Sequence, residues 1–114
     1  MRVSLIQLSP FVAKWAKLGL NDDDLRHLEE LFLADPQSGD VIPGTGGLRK
    51  LRFAPPSRRT GKRGGLRVIY AWIASASEIY LFTLYGKNEQ ADLTSDEKRF
   101  YRQVLQRLRG RQQH

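Results

Sequence analysis

The chain has 114 residues, with 19 Lys and Arg against 12 Asp and Glu, a net charge of +7 and a pI near 10.1. It contains no cysteine, which excludes disulfides, thiolate catalysis and cysteine-ligated zinc. Its length predicts one domain, residues 1–114. No apolar run approaches the ~20 residues needed to span a bilayer, and the N-terminus lacks a signal-peptide pattern, so we expect a cytoplasmic protein without membrane contact.

The first forty residues predict one strand and two helices. Residues 3–8 alternate weakly, as an edge strand does. Pro10 suits the first turn of a helix that stops at Gly19. Asn21 is a good N-cap, and the three aspartates at 22–24 lie where the helix dipole favours negative charge. We therefore interpret the aspartates as a helix start and not as a metal or catalytic site.

Three strands are predicted after a loop rich in proline and glycine at residues 36–47. The first covers 48–53, and its alternation places Lys50 and Arg52 on one face. The others, 66–73 and 79–85, are rich in β-branched and aromatic residues and predict an antiparallel hairpin. If Ile73 pairs with Ile79, then Arg67 lies opposite Tyr85.

The C-terminal segment predicts a third helix. Thr94 and Glu97 have the spacing of a capping box. An apolar face follows at helical spacing, made by Phe100, Tyr101, Val104, Leu105 and Leu108. The predicted order is thus β-α-α-β-β-β-α, an α+β domain in which helices pack against an antiparallel sheet.

The positive charge is concentrated in the middle of the chain. Residues 41–77 contain no acidic residue and eight basic ones, namely Arg49, Lys50, Arg52, Arg58, Arg59, Lys62, Arg63 and Arg67. Because each cation can neutralise a phosphate and release a counterion, this block predicts a polyanionic partner. The strand patterns within it indicate that the charges are held on a folded surface.

Two other patterns carry no site. The isolated histidines, His27 and His114, do not form a metal cluster or a histidine-based ribonuclease pair. The glycines at 44, 46 and 47 are not followed by Gly-Lys-Ser/Thr or by a predicted helix, which excludes a nucleotide-binding loop. We expect no metal and no cofactor.

Three motifs together resemble HigB-type toxins of the RelE/ParE superfamily. They are VIPGTGGLRKLR at 41–52, KRGGLRVIY at 62–70, and TLYGKNE at 83–89 followed by Asp-Leu-Thr at 92–94. The resemblance implies a RelE-like microbial RNase fold with two N-terminal helices and one C-terminal helix. It also implies the toxin of a type II toxin–antitoxin pair. Such toxins enter the ribosomal A site and cleave mRNA without a metal. The ribose 2′-hydroxyl attacks the adjacent phosphate, leaving a 2′,3′-cyclic phosphate and a 5′-hydroxyl.

The same resemblance implies roles for individual residues. Arg67 matches the arginine at the start of the hairpin, and we expect it to clamp a phosphate. The residues expected in catalysis are Lys50, Arg52, Arg67 and Lys87. Those expected to contact RNA or the ribosome are Arg49, Arg58, Arg59, Lys62, Arg63, Tyr85 and Asn88. Tyr85 is expected to stack on a base or to position the substrate, with packing on the sheet as the alternative.

The chain departs from RelE at two positions. Asn88 replaces an arginine, and Thr94 replaces a tyrosine on the closing helix. The acid–base assignment of RelE therefore does not transfer, and the proton donor stays unnamed. Lys50 as a general base needs neighbouring cations such as Arg49 and Arg52 to disfavour its charged form.

Two alternative functions stay open: a ParE-like toxin that inhibits DNA gyrase, and a basic nucleic-acid-binding module without catalysis. The expected partners are the ribosome with its mRNA and a cognate antitoxin carrying a helix-turn-helix domain. Operator DNA would be contacted only through that antitoxin. Codon preference, oligomeric state and the mode of neutralisation are not readable from the residues.

Overall fold

The computed structural model describes residues 2–58 and 65–112, without the side chain of residue 112. A short 3₁₀ turn at Ala74–Ala76 connects the last two strands. The elements in chain order are β1 (Ser4–Gln7), α1 (Ser9–Lys17), α2 (Asp22–Ala34), β2 (Asp40–Val41), β3 (Arg49–Phe53), β4 (Leu66–Ile73), β5 (Glu78–Gly86) and α3 (Ser95–Gln112).

The strands form one mixed sheet in the order β1-β5-β4-β3-β2. The pairs β2–β3, β3–β4 and β4–β5 are antiparallel, and the hairpin of β4 and β5 was predicted, whereas β1 runs parallel to β5. The prediction of a wholly antiparallel sheet is therefore wrong at one edge. Because two helices and three strands separate β1 from β5, no hairpin fixes their direction. The two-residue β2 lies within the segment predicted as loop.

Helices cover both faces of the sheet, so the domain has three layers. On the first face, called the helix-pair face, Phe11 of α1 and Leu28 of α2 pack among buried β-sheet residues such as Val68. On the second, called the α3 face, Tyr101 and Leu105 of α3 pack on a separate buried cluster made by Ile42, Leu48, Ile69, Ala71, Ile73, Phe82, Tyr85 and Leu93. Side chains alternate between these cores along each strand.

The predicted starts of α2 and α3 are confirmed by their capping boxes. In α2 the Asp24 N–H donates to Asn21 Oδ1 at 3.0 Å, and the Asn21 N–H donates to Asp24 Oδ2 at 2.9 Å. In α3 the Glu97 N–H donates to Thr94 Oγ1 at 3.1 Å, and the Thr94 N–H donates to Glu97 Oε1 at 2.9 Å. Each box satisfies donors that a helix start otherwise leaves unpaired. Among the described residues, no helix is long and apolar enough to cross a membrane.

Asp24 also ties α2 to the loop after β3. Its buried carboxylate accepts from the Ser57 N–H at 3.0 Å and from Ser57 Oγ at 2.5 Å. Burial by itself raises the pKa of Asp24, but the hydrogen bonds from Ser57 and Asn21 outweigh it, so that pKa lies below its ordinary value. The aspartate triplet is thus a helix start, and its third member also anchors a loop.

A β-bulge corrects the predicted hairpin register. Arg67 lies opposite Tyr85, as predicted, but Ile73 pairs with Glu78 and not with Ile79. The register shifts between Ile69 and Tyr70 of β4, which pair with Thr83 and Leu81, so Phe82 is the extra residue of β5. A bulge places two successive side chains on one face. Both side chains lie next to Tyr101 of α3: the Phe82 and Tyr101 ring centroids are 5.6 Å apart, and Thr83 opposes the rise that burial causes in the pKa of Tyr101.

Candidate nucleic-acid interface

Strand pairing aligns basic side chains across the middle of the sheet. Leu51 and Phe53 are buried in the helix-pair face, so the alternation of β3 turns Lys50 and Arg52 to the α3 face, as predicted. Arg52 pairs directly with Arg67 on β4. Like charges placed opposite each other on neighbouring strands are unfavourable, so this pairing concentrates positive charge at a cost to the sheet.

These cations line an open cleft of about 410 Å³. Its lining includes Lys50, Arg52 and Arg67, with Ser38 and Asp40 from the β2 side. Asp40 pairs with Lys50 through the short β2–β3 ladder, which places β2 beside the cleft. The structure therefore brings together three of the four residues predicted for catalysis.

The loop beside the cleft is held from the helix-pair face. The Tyr70 hydroxyl donates to Pro36 O at 2.9 Å and accepts from the Gly39 N–H at 2.9 Å. Burial raises the pKa of Tyr70. Arg49 Nη1 donates to Gln37 O at 3.1 Å and to Gly39 O at 2.8 Å. The geometry gives Arg49 a loop-holding role on the face opposite Lys50, and its RNA contact stays a prediction.

Tyr85 closes the base of the basic row. Its ring is buried, with 2% of the residue exposed, so no ring face is open to a base. Its hydroxyl is the one buried side-chain polar atom of the described residues that has no hydrogen-bond partner. Burial raises the pKa of Tyr85, the negative charge of Asp92 raises it further, and the positive charge of Arg67 opposes both. The hydroxyl is buried like the ring, and it interacts electrostatically with Asp92 and Arg67.

Asp92 lies beside Lys50 and was not predicted as a site residue. Its carboxylate is 3.9 Å from Lys50 Nζ and 3.5 Å from Lys98 Nζ, and it accepts from the Leu93 N–H at 2.8 Å. Burial raises the pKa of Asp92, but the Leu93 N–H and the two ammonium groups outweigh it and lower that pKa. The residue stands within the third sequence motif. Its pairing with β3 depends on how α3 crosses the sheet, which the sequence does not show.

Other predicted residues lie away from the cleft. Lys87 and Asn88 are exposed in the turn after β5, and neither lines the cleft. That turn is tied towards α1 by an ion pair between Lys14 and Glu89, so the catalytic role of Lys87 stays a prediction. Arg58 is exposed, and its N–H donates to Pro55 O at 3.0 Å. Three predicted contacts, Arg59, Lys62 and Arg63, lie outside the described residues.

No group of three or more His, Cys, Asp or Glu in the described part of the chain is arranged to hold a metal ion. The cleft lining offers three cations and the Asp40 carboxylate, and the Asp92 carboxylate lies beside Lys50. Such a set is suited to binding and polarising a phosphodiester.

Comparisons with known proteins identify the fold. No protein-family model matches the chain. Its structure is similar to that of RelE in the intact E. coli RelBE toxin–antitoxin complex, with a TM-score of 0.52 and 16% identity over 73% of this chain and 94% of that chain. It is also similar to a free arginine-to-alanine double mutant of E. coli toxin RelE, with a TM-score of 0.53 and 16% identity over 80% and 90% of the two chains. The predicted RelE-like α+β fold is thus confirmed, with three helices and a five-stranded mixed sheet.

Proposed function

We propose that this protein is the toxin of a type II toxin–antitoxin system and that it cleaves mRNA. The observation that carries the proposal is the convergence of Lys50, Arg52 and Arg67 in one cleft on two neighbouring strands. Because the strands are paired and buried on the opposite face, the cations are held in place before any substrate binds. Electrostatic stabilisation of a transition state requires this kind of preorganisation.

The chemistry proposed is transfer within the RNA backbone. The ribose 2′-oxygen forms a bond to phosphorus as it loses its proton, and the 5′-oxygen leaves and takes up a proton. The products are a 2′,3′-cyclic phosphate and a 5′-hydroxyl. Negative charge grows on the phosphoryl oxygens during this step, and Arg67 can hold two of them through parallel N–H donors. Lys50 and Arg52 supply further positive charge.

The ribosome is the proposed place of action. The described part of the cleft lining contains no histidine, and its charged side chains are three cations and the carboxylate of Asp40. When a protein's own residues mainly supply positive charge, its rate of cleavage benefits from a larger assembly that positions the substrate. A-site mRNA on the ribosome is presented in that way. Within the superfamily, the HigB-type motifs of the sequence favour this ribosome-dependent branch.

The cation row favours the ribonuclease over the gyrase-inhibiting alternative, because three cations facing one cleft match a phosphodiester. A binding module without catalysis would share the charge but would leave mRNA intact. The proposed partner is a cognate antitoxin, since the RelE of the first comparison is seen with its antitoxin in the RelBE complex. The HigB-type motifs of the sequence are the basis for proposing an antitoxin of the helix-turn-helix type.

The test is primer extension on mRNA in a purified translation system, with the wild type, Arg67→Ala and Arg26→Ala. Arg26 is a matched control, because it is an exposed arginine on α2, away from the cleft, that pairs with Asp23 at 3.3 Å. We expect discrete cuts within A-site codons for the wild type and for Arg26→Ala. Loss of one preorganised donor to the phosphate should reduce cleavage by Arg67→Ala about 100-fold or more.

Two results would contradict the proposal. Stalled translation with intact mRNA would reject cleavage and favour a toxin that acts by binding. Normal cleavage by Arg67→Ala would keep the ribonuclease and remove Arg67 from the phosphate site.

A further inference from the structure

The Asp92 carboxylate stands between two cations that belong to different elements. Lys50 lies on β3 and Lys98 on α3, at 3.9 and 3.5 Å from the carboxylate. The side chain is 44% exposed, so a ligand can reach it from solvent. A phosphate oxygen carries the same sign of charge and accepts the same kind of hydrogen bond.

The hydroxyl of Tyr85 is an independent sign that a ligand belongs here. It is buried, has no hydrogen-bond partner, and interacts electrostatically with both Asp92 and Arg67. A buried polar group without a partner is costly and rare in folded proteins. A phosphate in the place of the Asp92 carboxylate would lie within the electrostatic reach of this hydroxyl, as Asp92 does.

Asp92 is not needed to start α3. The capping box of Thr94 and Glu97 already satisfies the donors of the first turn. Exposed ion pairs of this length contribute little to stability. The Asp92 carboxylate can therefore leave the lysines without unfolding the helix.

We propose that Asp92 is a displaceable anion: in the RNA-free protein its carboxylate occupies a phosphate subsite made by Lys50 and Lys98, and an RNA phosphodiester replaces it on binding. The inference rests on the proposed RNA substrate. It goes beyond it by adding Lys98 to the site and by giving Asp92 a role that opposes binding. Until RNA arrives, the carboxylate offsets the repulsion between the ammonium groups and keeps both directed at the subsite.

The test measures binding of a short 2′-O-methyl RNA, which cannot be cleaved, by fluorescence anisotropy at low salt. Asp92→Asn removes the competing charge, and we expect about fivefold tighter binding, equivalent to one exposed ion pair. Asp96→Asn is the matched control. It makes the same charge change on α3, and Asp96 is 91% exposed and pairs with Arg99 at 3.5 Å. We expect this control to bind as the wild type does, apart from a small gain from net charge.

Lys98 gives a second arm. Lys98→Ala should weaken binding about fivefold, and in the Lys98→Ala background Asp92→Asn should gain less than in the wild type, because half of the subsite is gone. Asp92→Ser can still accept a hydrogen bond from the Leu93 N–H, and it should bind RNA as tightly as Asp92→Asn does. Agreement between the two variants would show that the gain in affinity does not come from a local change in folding.

Equal affinities for Asp92→Asn and Asp96→Asn, or weaker binding by Asp92→Asn and Asp92→Ser, would overturn the inference. Failure of the proposed function is distinguishable. If mRNA stays intact while Asp92→Asn binds RNA more tightly, the subsite stands and the ribonuclease falls. Cleavage by the wild type without an affinity gain in Asp92→Asn rejects only the displaceable anion.

Discussion

At the scale of single residues, we expect the unpaired Tyr85 hydroxyl to lower the stability of the fold and to strengthen RNA binding. An unpaired buried hydroxyl costs roughly 1–3 kcal/mol, and the ring that carries it packs among the buried residues of the α3 face. We predict that Tyr85→Phe raises the free energy of unfolding by about 1 kcal/mol, measured by urea denaturation. The same variant should bind RNA more weakly, because a donor beside the phosphate is lost.

Tyr70→Phe is the control for that prediction. The Tyr70 hydroxyl bonds to both Pro36 and Gly39, so its removal leaves a buried N–H without a partner. This variant should lose about 1–2 kcal/mol of stability. A Tyr85→Phe protein that is less stable than the wild type would show that the hydroxyl has a structural partner.

Alternation along β3 made the faces of Lys50, Arg52, Leu51 and Phe53 predictable from the sequence. The same alternation puts Arg49 on the face of the sheet that Lys50 does not occupy. The sequence motif nevertheless led us to group Arg49 with the cations expected to bind RNA. What the sequence could not supply is the loop at residues 37–39, whose carbonyl groups accept from Arg49. For Tyr85 the sequence left stacking on a base and packing on the sheet open, and its burial favours packing.

At the scale of elements, the loop between α2 and β2 positions one side of the cleft through a close approach at Gly39. A Cβ there would lie 2.8 Å from Tyr70 Cε1 and 2.9 Å from Lys50 O. Backbone atoms of β3 cannot yield to it without moving the strand that carries Lys50. We predict that Gly39→Ala costs about 2 kcal/mol, as overpacking does, and weakens RNA binding. Urea denaturation and anisotropy check the two effects.

Gly44→Ala separates steric clash from backbone strain. Gly44 has φ +79°, which favours glycine, but nothing lies within 4 Å of the added Cβ. This variant should cost about 1 kcal/mol and leave RNA affinity unchanged. If Gly39→Ala bound RNA normally despite its stability loss, the loop would not control the cleft.

The bulge in β5 shows why a hairpin register counted from the sequence can be wrong by one residue. A regular hairpin that places Arg67 opposite Tyr85 also pairs Ile73 with Ile79, and no glycine or proline between Glu78 and Tyr85 marks an irregularity. The bulge turns both Phe82 and Thr83 towards α3, where both lie next to Tyr101. The alternation of residues predicted the two strands. Their register depends on packing against α3, which the alternation does not show.

At the scale of the whole molecule, the sequence predicts the layers and the concentration of charge better than it predicts the sheet edges. Amphipathic helices and alternating strands carry local signals. The parallel pairing of β1 and the two-residue β2 depend on long-range docking. The site follows the same division: the three cations are readable from the strands, whereas the contact of Asp92 with Lys50 joins β3 to the connection before α3.

Titration of the whole molecule gives the last prediction. The pKa values of Asp24, Glu89 and Asp92 lie below their ordinary values of 3.8 to 4.5 in the folded protein. A carboxyl whose folded pKa is lowered stabilises the fold above its unfolded pKa, and this stability is lost as pH falls through the folded value. Burial raises the pKa values of Tyr70, Tyr85 and Tyr101 above 10.0, so their contribution is present below pH 10 and is lost as pH rises further. Thermal unfolding should therefore show a plateau from about pH 5 to pH 9, with lower melting temperatures on both sides.

Matched variants assign the two limbs of this profile. Asp24→Asn removes a buried carboxylate that accepts from both Ser57 donors, so it should lower stability by about 2 kcal/mol on the plateau and flatten the acid limb. Asp22→Asn, at an exposed position of the same helix start, should leave that limb nearly unchanged. On the alkaline side, Tyr101→Phe should flatten the decline because the buried phenol can no longer ionise. Melting temperatures that rise below pH 4 would mean that these carboxyl groups are not stabilised by the fold.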